Sequence, residues 1–595
     1  MNLFCLLLIL FGLAYASLPA TAAPERPNVL LVFTDDQGFG DVAINGNPHL
    51  KTPNLDALAA SGVNFTDFLA SPTCSPSRAT LMTGRHEFRS GVTHTIEGRN
   101  VLRDGVPTMA DAFRKAGYRT GIFGKWHLGE PRPFHPLDRG FDHALLVGGG
   151  AVGQTPDYWG NTMFDPHLQE NGDWKPYKGY MTDILADEAL AWVRKDKKPW
   201  FCYLALNAPH VPLQVGEEWA KPYLDMGLPP RLAKFYGMIT NLDAQFGRLL
   251  AGLEKDDLTQ RTVVVFMGDN GTALGGDPQP GEFTAGLRGT KGSAYQGGVR
   301  IPAFFSWPGH FPAGRSVGTL AGLCDLLPTF ADLCGLDVKG FPTIDGRSLV
   351  PVLESGAQPK DWSDRTLPVH VARWPTNTPV EALPFLNASV RNQRFSLVDG
   401  KELYDLEADP GEKRDIAASR PEEVKRLLAV HQAWWDSVRE SAMNPQPFVI
   451  GRPGVGAVEL TCMDWSPSRR SGEPLAMGLW EQEPVGKWIS GNEAFGVDGA
   501  SGGWMVNVET PGIYRIVLRR SPAHAAVSTP YAAGEATLEI AGKNLRQPVD
   551  AGDEEVVFTV DLPAGDHFLE PLVSGQRASG NPEGAYFCTI SPRDS

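Results

Sequence analysis

Apolar residues along the chain fall into two patterns. Three runs, at residues 29–33, 201–206 and 263–267, are nearly continuous, and a fourth, weaker one spans 118–123. They are too short for helices and lack the polar alternation of a half-exposed strand, so they read as strands buried on both faces of a parallel sheet. Between them the period changes. Leu232, Phe235, Met238, Ile239, Leu242, Phe246, Leu249 and Leu253 recur at steps of three and four, one apolar stripe for laying a helix on a sheet. Residues 53–60 and 107–116 share that period, and each begins at a proline, a residue favoured in the first helical turn. Strands alternating with helices predict an α/β fold over residues 24–345: a doubly wound, mostly parallel sheet sandwiched by helices.

Each apolar run ends directly in polar or ionisable residues: Thr34, Asp35 and Asp36; Gly124, Lys125, Trp126 and His127; Asn207, Ala208, Pro209 and His210; Gly268, Asp269 and Asn270. The carboxyl edge of a parallel sheet is where ligands bind. Asp35, Asp36, Asp269 and Asn270 supply oxygen ligands only, which suits a hard divalent cation and disfavours zinc. Acidic pairs at strand ends also serve as helix caps, so the metal reading rests on both pairs falling at one edge. Cys74 opens a further helix with Arg78 one turn on, a setting that depresses a thiol pKa.

The pattern changes twice more. Over residues 346–450 a short strand (403–406), a turn (409–412) and an amphipathic helix (421–438) predict a small α+β subdomain. Beyond 453, alternating runs at 504–508, 513–518, 536–540, 556–562 and 586–590 are separated by Gly, Pro and Asp, predicting an appended β-sandwich over 455–595. Cys462 and Cys588, near its two ends, are a candidate disulfide pair. Trp480, Trp488 and Trp504 offer ring faces for sugars, although tryptophans in a small sandwich are more often core.

Composition adds three constraints. With 595 residues, 42% of them apolar, the chain has material for several cores. Its apolar start and the Ala20-Thr21-Ala22 site read as a signal peptide over residues 1–23, lacking the usual basic n-region. That run is too short to span a bilayer and no later one is long enough, so an exported protein with no transmembrane segment in the mature chain is expected, periplasmic, extracellular or lysosomal. Seven cysteines, one of them in the leader, are too few to hold such a chain together. The net charge of −15 excludes a nucleic-acid partner. It would also repel an anionic substrate, which must then be captured by a local cluster of Lys, Arg and His.

The stretch Cys74-Ser75-Pro76-Ser77-Arg78, running on to Gly84 and Arg85, resembles the C-x-P-x-R signature of type I (formylglycine-dependent) sulfatases, in the alkaline-phosphatase-like superfamily. The resemblance covers most of residues 28–353, and residues 402–416 resemble that family's C-terminal subdomain. It implies that a formylglycine-generating or sulfatase-maturing enzyme oxidises Cys74 to formylglycine. One calcium ion, with magnesium as the alternative, would be held by Asp35, Asp36, Asp269, Asn270 and the modified Cys74. An aldehyde hydrate matches a hard cation better than a thiolate does. By the same resemblance Arg78 and Lys125 polarise the hydrate and His127 deprotonates it. His210 protonates the leaving oxygen. Lys291, ahead of Gly297-Gly298-Val299-Arg300, binds the sulfate oxygens.

The function implied is hydrolysis of sulfate monoesters, with sulfated carbohydrates preferred as substrates and aryl sulfates next. Two other readings are a phosphonate monoester hydrolase or phosphatase of the same superfamily, and an inactive secreted glycan-binding protein. Phosphatases of that fold normally carry serine or threonine at the nucleophile, and no member of the constellation is missing. The loops at 86–103 and 148–178, with His94, Arg99, Arg103, Tyr158 and Trp159, are expected to wall the leaving-group pocket. The loop after Gly140-Phe141 leads to Gly148-Gly149-Gly150 and offers no assignable contact.

Overall fold

Strand β1 (Asn28–Thr34) is buried along its whole length. Val29, Leu31 and Phe33 point into one core and Leu30 and Val32 into a second on the opposite face, so the strand has no polar alternation. This computed structural model describes residues 26–274, 281–374, 378–470, 478–489, 500–526, 528–576 and 582–593. The expected signal peptide lies outside them. β1 belongs to a ten-stranded sheet with β2 (Val63–Phe65), β3 (Arg119–Lys125), β4 (His143–Val147), β5 (His167–Glu170), β6 (Asp173–Pro176), β7 (Trp200–Ala205), β8 (Thr262–Gly268), β9 (Ala303–Ser306) and β10 (Arg315–Val317). The order is β10-β2-β9-β8-β1-β7-β3-β4-β5-β6. Its centre, β8-β1-β7-β3-β4, is parallel throughout, whereas β9 and β5 join antiparallel on either side. The expected doubly wound, mostly parallel architecture is present.

Helices cover both faces. α1 (Pro53–Ser61) begins at its proline. α2 (Cys74–Thr83) is buried at every residue and ends on Gly84, whose φ of 66° is the left-handed cap conformation that glycine adopts without strain. α3 (Met109–Lys115) does not begin at Pro107: Thr108 is the N-cap, in a reciprocal capping box with Asp111, because its hydroxyl satisfies a free N–H that a proline ring cannot. α4 (Met181–Val193) and α5 (Pro230–Lys255) follow. α5 lays Met238, Leu242, Phe246, Leu249 and Leu253 on the second core, each such burial contributing roughly 1.5–3 kcal/mol.

A four-stranded antiparallel sheet, in order Leu367–His370, Ala388–Arg391, Phe395–Val398 and Glu402–Asp405, carries α6 (Pro421–Met443) on one face through Leu427. Beyond it two more sheets, antiparallel except where Phe448–Ile450 pairs parallel with Gly502–Val508, enclose a core that includes Trp504, Ile516, Leu538 and Val560. Two strands there, Lys543–Val549 and Gly565–Val573, escape the sequence pattern. The first is a mostly exposed edge strand containing Pro548, and the second carries His567, Glu570 and Pro571 among its apolar residues.

Cys462 and Cys588 are not bridged: all six described cysteines are buried and free. Cys588 pairs across the sheet with Leu460. Cys462, two residues further, has already turned into a 3₁₀ segment, where its Sγ donates to the Leu479 carbonyl at 3.3 Å. Trp504 is fully buried and its Nε1–H donates to the Thr461 carbonyl at 2.8 Å, which makes it core; the side chain of Trp488 lies outside the described residues. No helix among the described residues is long and apolar enough to cross a membrane.

The last turn of α2 abuts a buried carboxyl. Thr80 Oγ1 donates to Glu87 Oε2 at 2.7 Å, while Glu87 Oε1 has no hydrogen-bond partner among the described residues. Burial raises this carboxyl from 4.5 to about 7. A raised folded-state pKa means that the native state keeps a proton the unfolded chain releases, so stability falls as pH climbs from the unfolded to the folded value. Wild-type protein should lose roughly 2–3 kcal/mol from this group between about pH 5 and about pH 8. Thermal unfolding of Glu87→Gln should therefore show a smaller drop in Tm over that interval. An equal drop in both proteins would mean that Glu87 does not stay protonated.

Candidate active site

Four strands end together at one edge of the sheet. In register, Thr34 lies beside Gly268, Phe33 beside Ala205, and Ala205 beside Gly124. The residues that follow β1, β3, β7 and β8 are thus brought side by side although they are scattered through the sequence. Asp36 turns away from Asp35 at φ 68°, and its backbone N–H donates to Asp269 Oδ1 at 3.0 Å. The N-terminus of α2 delivers Cys74, 3% exposed, to the same place.

Three buried carboxylates meet three cations there, one each. Lys125 Nζ donates to Asp35 Oδ2 at 2.7 Å, an Arg78 NH2 group to Asp269 Oδ2 at 2.9 Å, and Lys291 Nζ lies 2.5 Å from Asp36 Oδ1. Arg78 also donates to the Lys125 carbonyl at 2.9 Å. Burial pushes Asp35 well above the carboxylate range, against the pull of Lys125 and with the push of Asp269 and Asp36. Burial would raise Asp36 too, but Lys291 and His210 outweigh it and bring it down to about 2. Asp269 is likewise lowered, with Arg78 and then Lys125 outweighing burial.

Two buried oxygens at the centre of this cluster, Asp35 Oδ1 and Asn270 Oδ1, have no hydrogen-bond partner among the described residues. Asn270 Nδ2 already donates to Asp36 Oδ1 at 2.9 Å, which aims its oxygen the other way. Ligand atoms of Asp35, Cys74 and Asp269 lie within 4.8 Å of one another, as do those of Asp35, Asp36 and His210. Orphaned carboxylate and amide oxygens beside a carboxyl held above its normal range are a fit for a hard divalent cation.

The two histidines are set as opposite tautomers. His127, at φ 60°, has Nε2 at 2.8 Å from the Thr95 carbonyl. That nitrogen must carry the proton, and Nδ1, which has no partner among the described residues, keeps its lone pair. Burial, then Lys125, holds His127 well below the usual histidine range. His210 places Nδ1 at 2.7 Å from the Val211 carbonyl, leaving the Nε2 lone pair 3.6 Å from Asp36 Oδ2. Burial lowers His210 to about 4 against the pull of Asp36, so near neutral pH this contact is not an ion pair. The Cys74 thiol is lowered because Lys125 and Lys291 outweigh its burial.

Above the cluster is a cavity of about 500 Å³ reached by Asp36, Cys74, His127, His210 and Lys291. Asp35, Arg78, Lys125, Asp269 and Asn270 lie behind it, fully buried. Of the expected pocket walls, His94 lines this cavity and Trp159 an adjoining one. Arg99 instead bonds the Ala372 carbonyl over the Trp374 ring, Arg103 bonds the Asn444 carbonyl at 2.7 Å, and Tyr158 stacks between His167 and His524.

Several residues at the site escape sequence reasoning. Arg373 lines the cavity from a distant segment, and no local pattern marks it; Trp480, one of the three tryptophans whose ring faces suit sugars, lines it too. Gly150 packs so closely on His127 that a Cβ there would lie 2.1 Å from Cε1. The triple glycine at 148–150 was the available signal: it marks a close approach rather than a sulfate contact.

Residues 27–336 match the sulfatase family model, and residues 290–433 match that of the N-sulphoglucosamine sulphohydrolase C-terminal region. The chain is 34% identical over 371 residues to N-acetylgalactosamine-6-sulfatase of Canis lupus familiaris, covering 58% of this chain and 70% of the relative. It is 31% identical over 514 residues to arylsulfatase A of Homo sapiens, covering 76% and 95%. Among solved structures, that of Ps i-CgsB in complex with k-i-k-neocarrahexaose superposes with a TM-score of 0.61 at 30% identity, covering 69% of this chain and 92% of the other. With the sheet edge and its motif residues in place, these matches identify the chain as a sulfuric ester hydrolase that belongs to the type I sulfatase family of the alkaline-phosphatase-like superfamily.

Proposed function

We propose that this enzyme releases sulfate from sulfated carbohydrates, using formylglycine made from Cys74 by a maturation enzyme and one calcium ion. The observation that carries the reading is the matching of three buried carboxylates by three cations around Cys74. Once a bound divalent ion has ionised Asp35, which burial otherwise holds above the carboxylate range, these six charges cancel and the ion leaves two positive charges at the site. That is the local attraction a chain of net charge −15 needs to draw in an anionic ester. Calcium would be held by Asp35, Asp36, Asp269 and Asn270, with an oxygen at position 74; magnesium fits less well because it keeps most of its own waters. When bound, such an ion supplies Lewis-acid charge beside position 74.

Formylglycine supplies a hydrate whose two hydroxyls allow attack on sulfur and then expulsion of sulfate. The chain's own residues serve that chemistry. His127 Nδ1, unpartnered and held neutral, is placed to accept a proton. Lys291 can exchange its contact with Asp36 for the sulfate oxygens. Arg78 and Lys125 fix Asp269 and Asp35 and stabilise the negative charge that builds beside Cys74. His210 must take up a proton on Nε2 before it can protonate the leaving oxygen, which an arriving sulfate anion favours. The name of the relative, N-acetylgalactosamine-6-sulfatase, and the neocarrahexaose bound by the solved neighbour support a carbohydrate substrate. Residues 1–23 would direct export, with the mature enzyme periplasmic, extracellular or lysosomal.

Protein whose Cys74 peptide carries the aldehyde mass should release sulfate, measured by ion chromatography, in large excess over phosphate from matched esters in calcium. Cys74→Ala should lower that release by at least about a thousandfold. Dominant phosphate or phosphonate release would favour the phosphonate hydrolase or phosphatase reading, and undiminished turnover in Cys74→Ala would refute the nucleophile.

Calcium should raise the Tm of the wild-type protein, the gain at a hundred times Kd being worth about 2.7 kcal/mol. Asp35→Asn should lose most of that gain. An unchanged calcium response in the variant would place the ion elsewhere.

A further inference from the structure

The cavity over Cys74 continues into a second one of about 550 Å³. The two share Gln154, His210, Val211 and Glu481, so they form one bent cleft running past the side of Cys74 where His210 stands. Each alone is within the range of small-ligand sites, and together they exceed what the sulfate and one ring require.

One wall of this cleft comes from the far end of the chain. Met463 and Trp480 face the first chamber, Gly486 the second, and Glu481 both. The segment is fixed to the catalytic loops. The Thr155 N–H donates to the Trp480 carbonyl at 2.9 Å. The buried Gln482 amide donates to the carbonyls of Gln154 (2.8 Å), Asp157 (3.0 Å) and Tyr158 (3.1 Å), and its oxygen accepts from the Gly160 N–H at 2.7 Å. Gln154 and Glu481 form an isolated β-bridge. Residues from beyond 455 are therefore part of the rigid site.

The two chambers differ in the charge left unpaired. In the first, Lys291 is paired with Asp36 and Glu97 with Arg99, while Arg373 makes no ion pair with any described residue. In the second, Lys487 is paired with Glu483 at 2.6 Å, and Glu481 stands at the junction with no ion-pair partner among the described residues. The rest of the lining includes the amides of Gln154 and Gln214 and the half-buried ring of Trp159. Amides and an aromatic face suit sugar hydroxyls and C–H surfaces, while the Glu481 carboxylate opposes a second anion there.

We infer that this cleft binds a carbohydrate chain of at least two residues, with the sulfated ring over Cys74 and an uncharged sugar next to it in the chamber walled by Trp159 and Glu481. This rests on the sulfatase reading, and it adds that the chain's own C-terminal segment selects the neighbouring sugar.

The test is calorimetry on Cys74→Ala protein in calcium, which reads binding without turnover. Three ligands are compared: a sulfated monosaccharide, the same residue linked to a neutral hexose, and the same residue linked to a uronic acid. The neutral disaccharide should bind about tenfold or more tighter than the monosaccharide, and the uronate should gain little. Adding Trp159→Ala should bring the neutral disaccharide to within about twofold of the monosaccharide, and Trp159→Phe should keep most of the difference. Adding Glu481→Gln should improve the uronate ligand by roughly three- to tenfold. Because these are ratios within one protein, a partly misfolded variant does not mimic them. Equal affinity for mono- and disaccharide, or a preference for the uronate, overturns the inference. Failure of the sulfatase reading would appear separately, as absence of sulfate release by wild-type enzyme whatever the binding ratios.

Discussion

Burying a carboxylate away from water costs several kcal/mol unless a cation and hydrogen bonds compensate it. This protein does so three times within one sheet edge. Asp35 follows β1 and its Lys125 ends β3; Asp269 follows β8 and its Arg78 comes from α2; Asp36 meets Lys291 from a loop. No pair is local in sequence, so none forms until the central strands are in register and α2 is docked. The site is therefore a consequence of the completed fold. Each cation is taken by one carboxylate oxygen, and Asp35 Oδ1 and Asn270 Oδ1 are left without a hydrogen-bond partner among the described residues where a cation would sit.

Backbone strain and close packing shape two of the residues at that edge. Asp36 and His127 both adopt left-handed backbone conformations, unusual for residues with side chains. His127 is further confined by Gly150 on one side and the Thr95 carbonyl on another. The result is an imidazole whose tautomer is fixed by its surroundings. Reactivity at this nitrogen is set by a glycine and a backbone carbonyl as much as by the histidine.

The start of the C-terminal region, residues 448–463, is bound to the segments that flank this site. Arg452 spans Asp104 and Glu509, Phe134 packs edge-on against Phe448, and the Glu97 N–H donates to the Met463 carbonyl at 2.8 Å. A module reading such a region as a tethered sugar binder would leave it free to swing. Here its Trp480 has its backbone in the active-site loop network, whereas Trp504, equally aromatic in sequence, is core. What separates the two is which face of the chain meets the catalytic loops, and that depends on how the sheets stack.

The sequence by itself determined the periodicities and the strand-end chemistry. Buried parallel strands must be apolar throughout, so β1 and β8 announce themselves, and the polar residues at their ends announce the edge. Cys74, Arg78 and Lys291 were legible from local motifs. The Thr108–Asp111 capping box that starts α3 was a local signal that the preceding proline overshadowed, whereas the sequence could not show that Cys462 and Cys588 sit two residues out of register. It did not show that Arg99 and Arg103 turn into the interface while Arg373 enters the cavity. Those outcomes depend on contacts between segments hundreds of residues apart. The free energy of such contacts is set by geometry that exists only after the sheets and helices have packed.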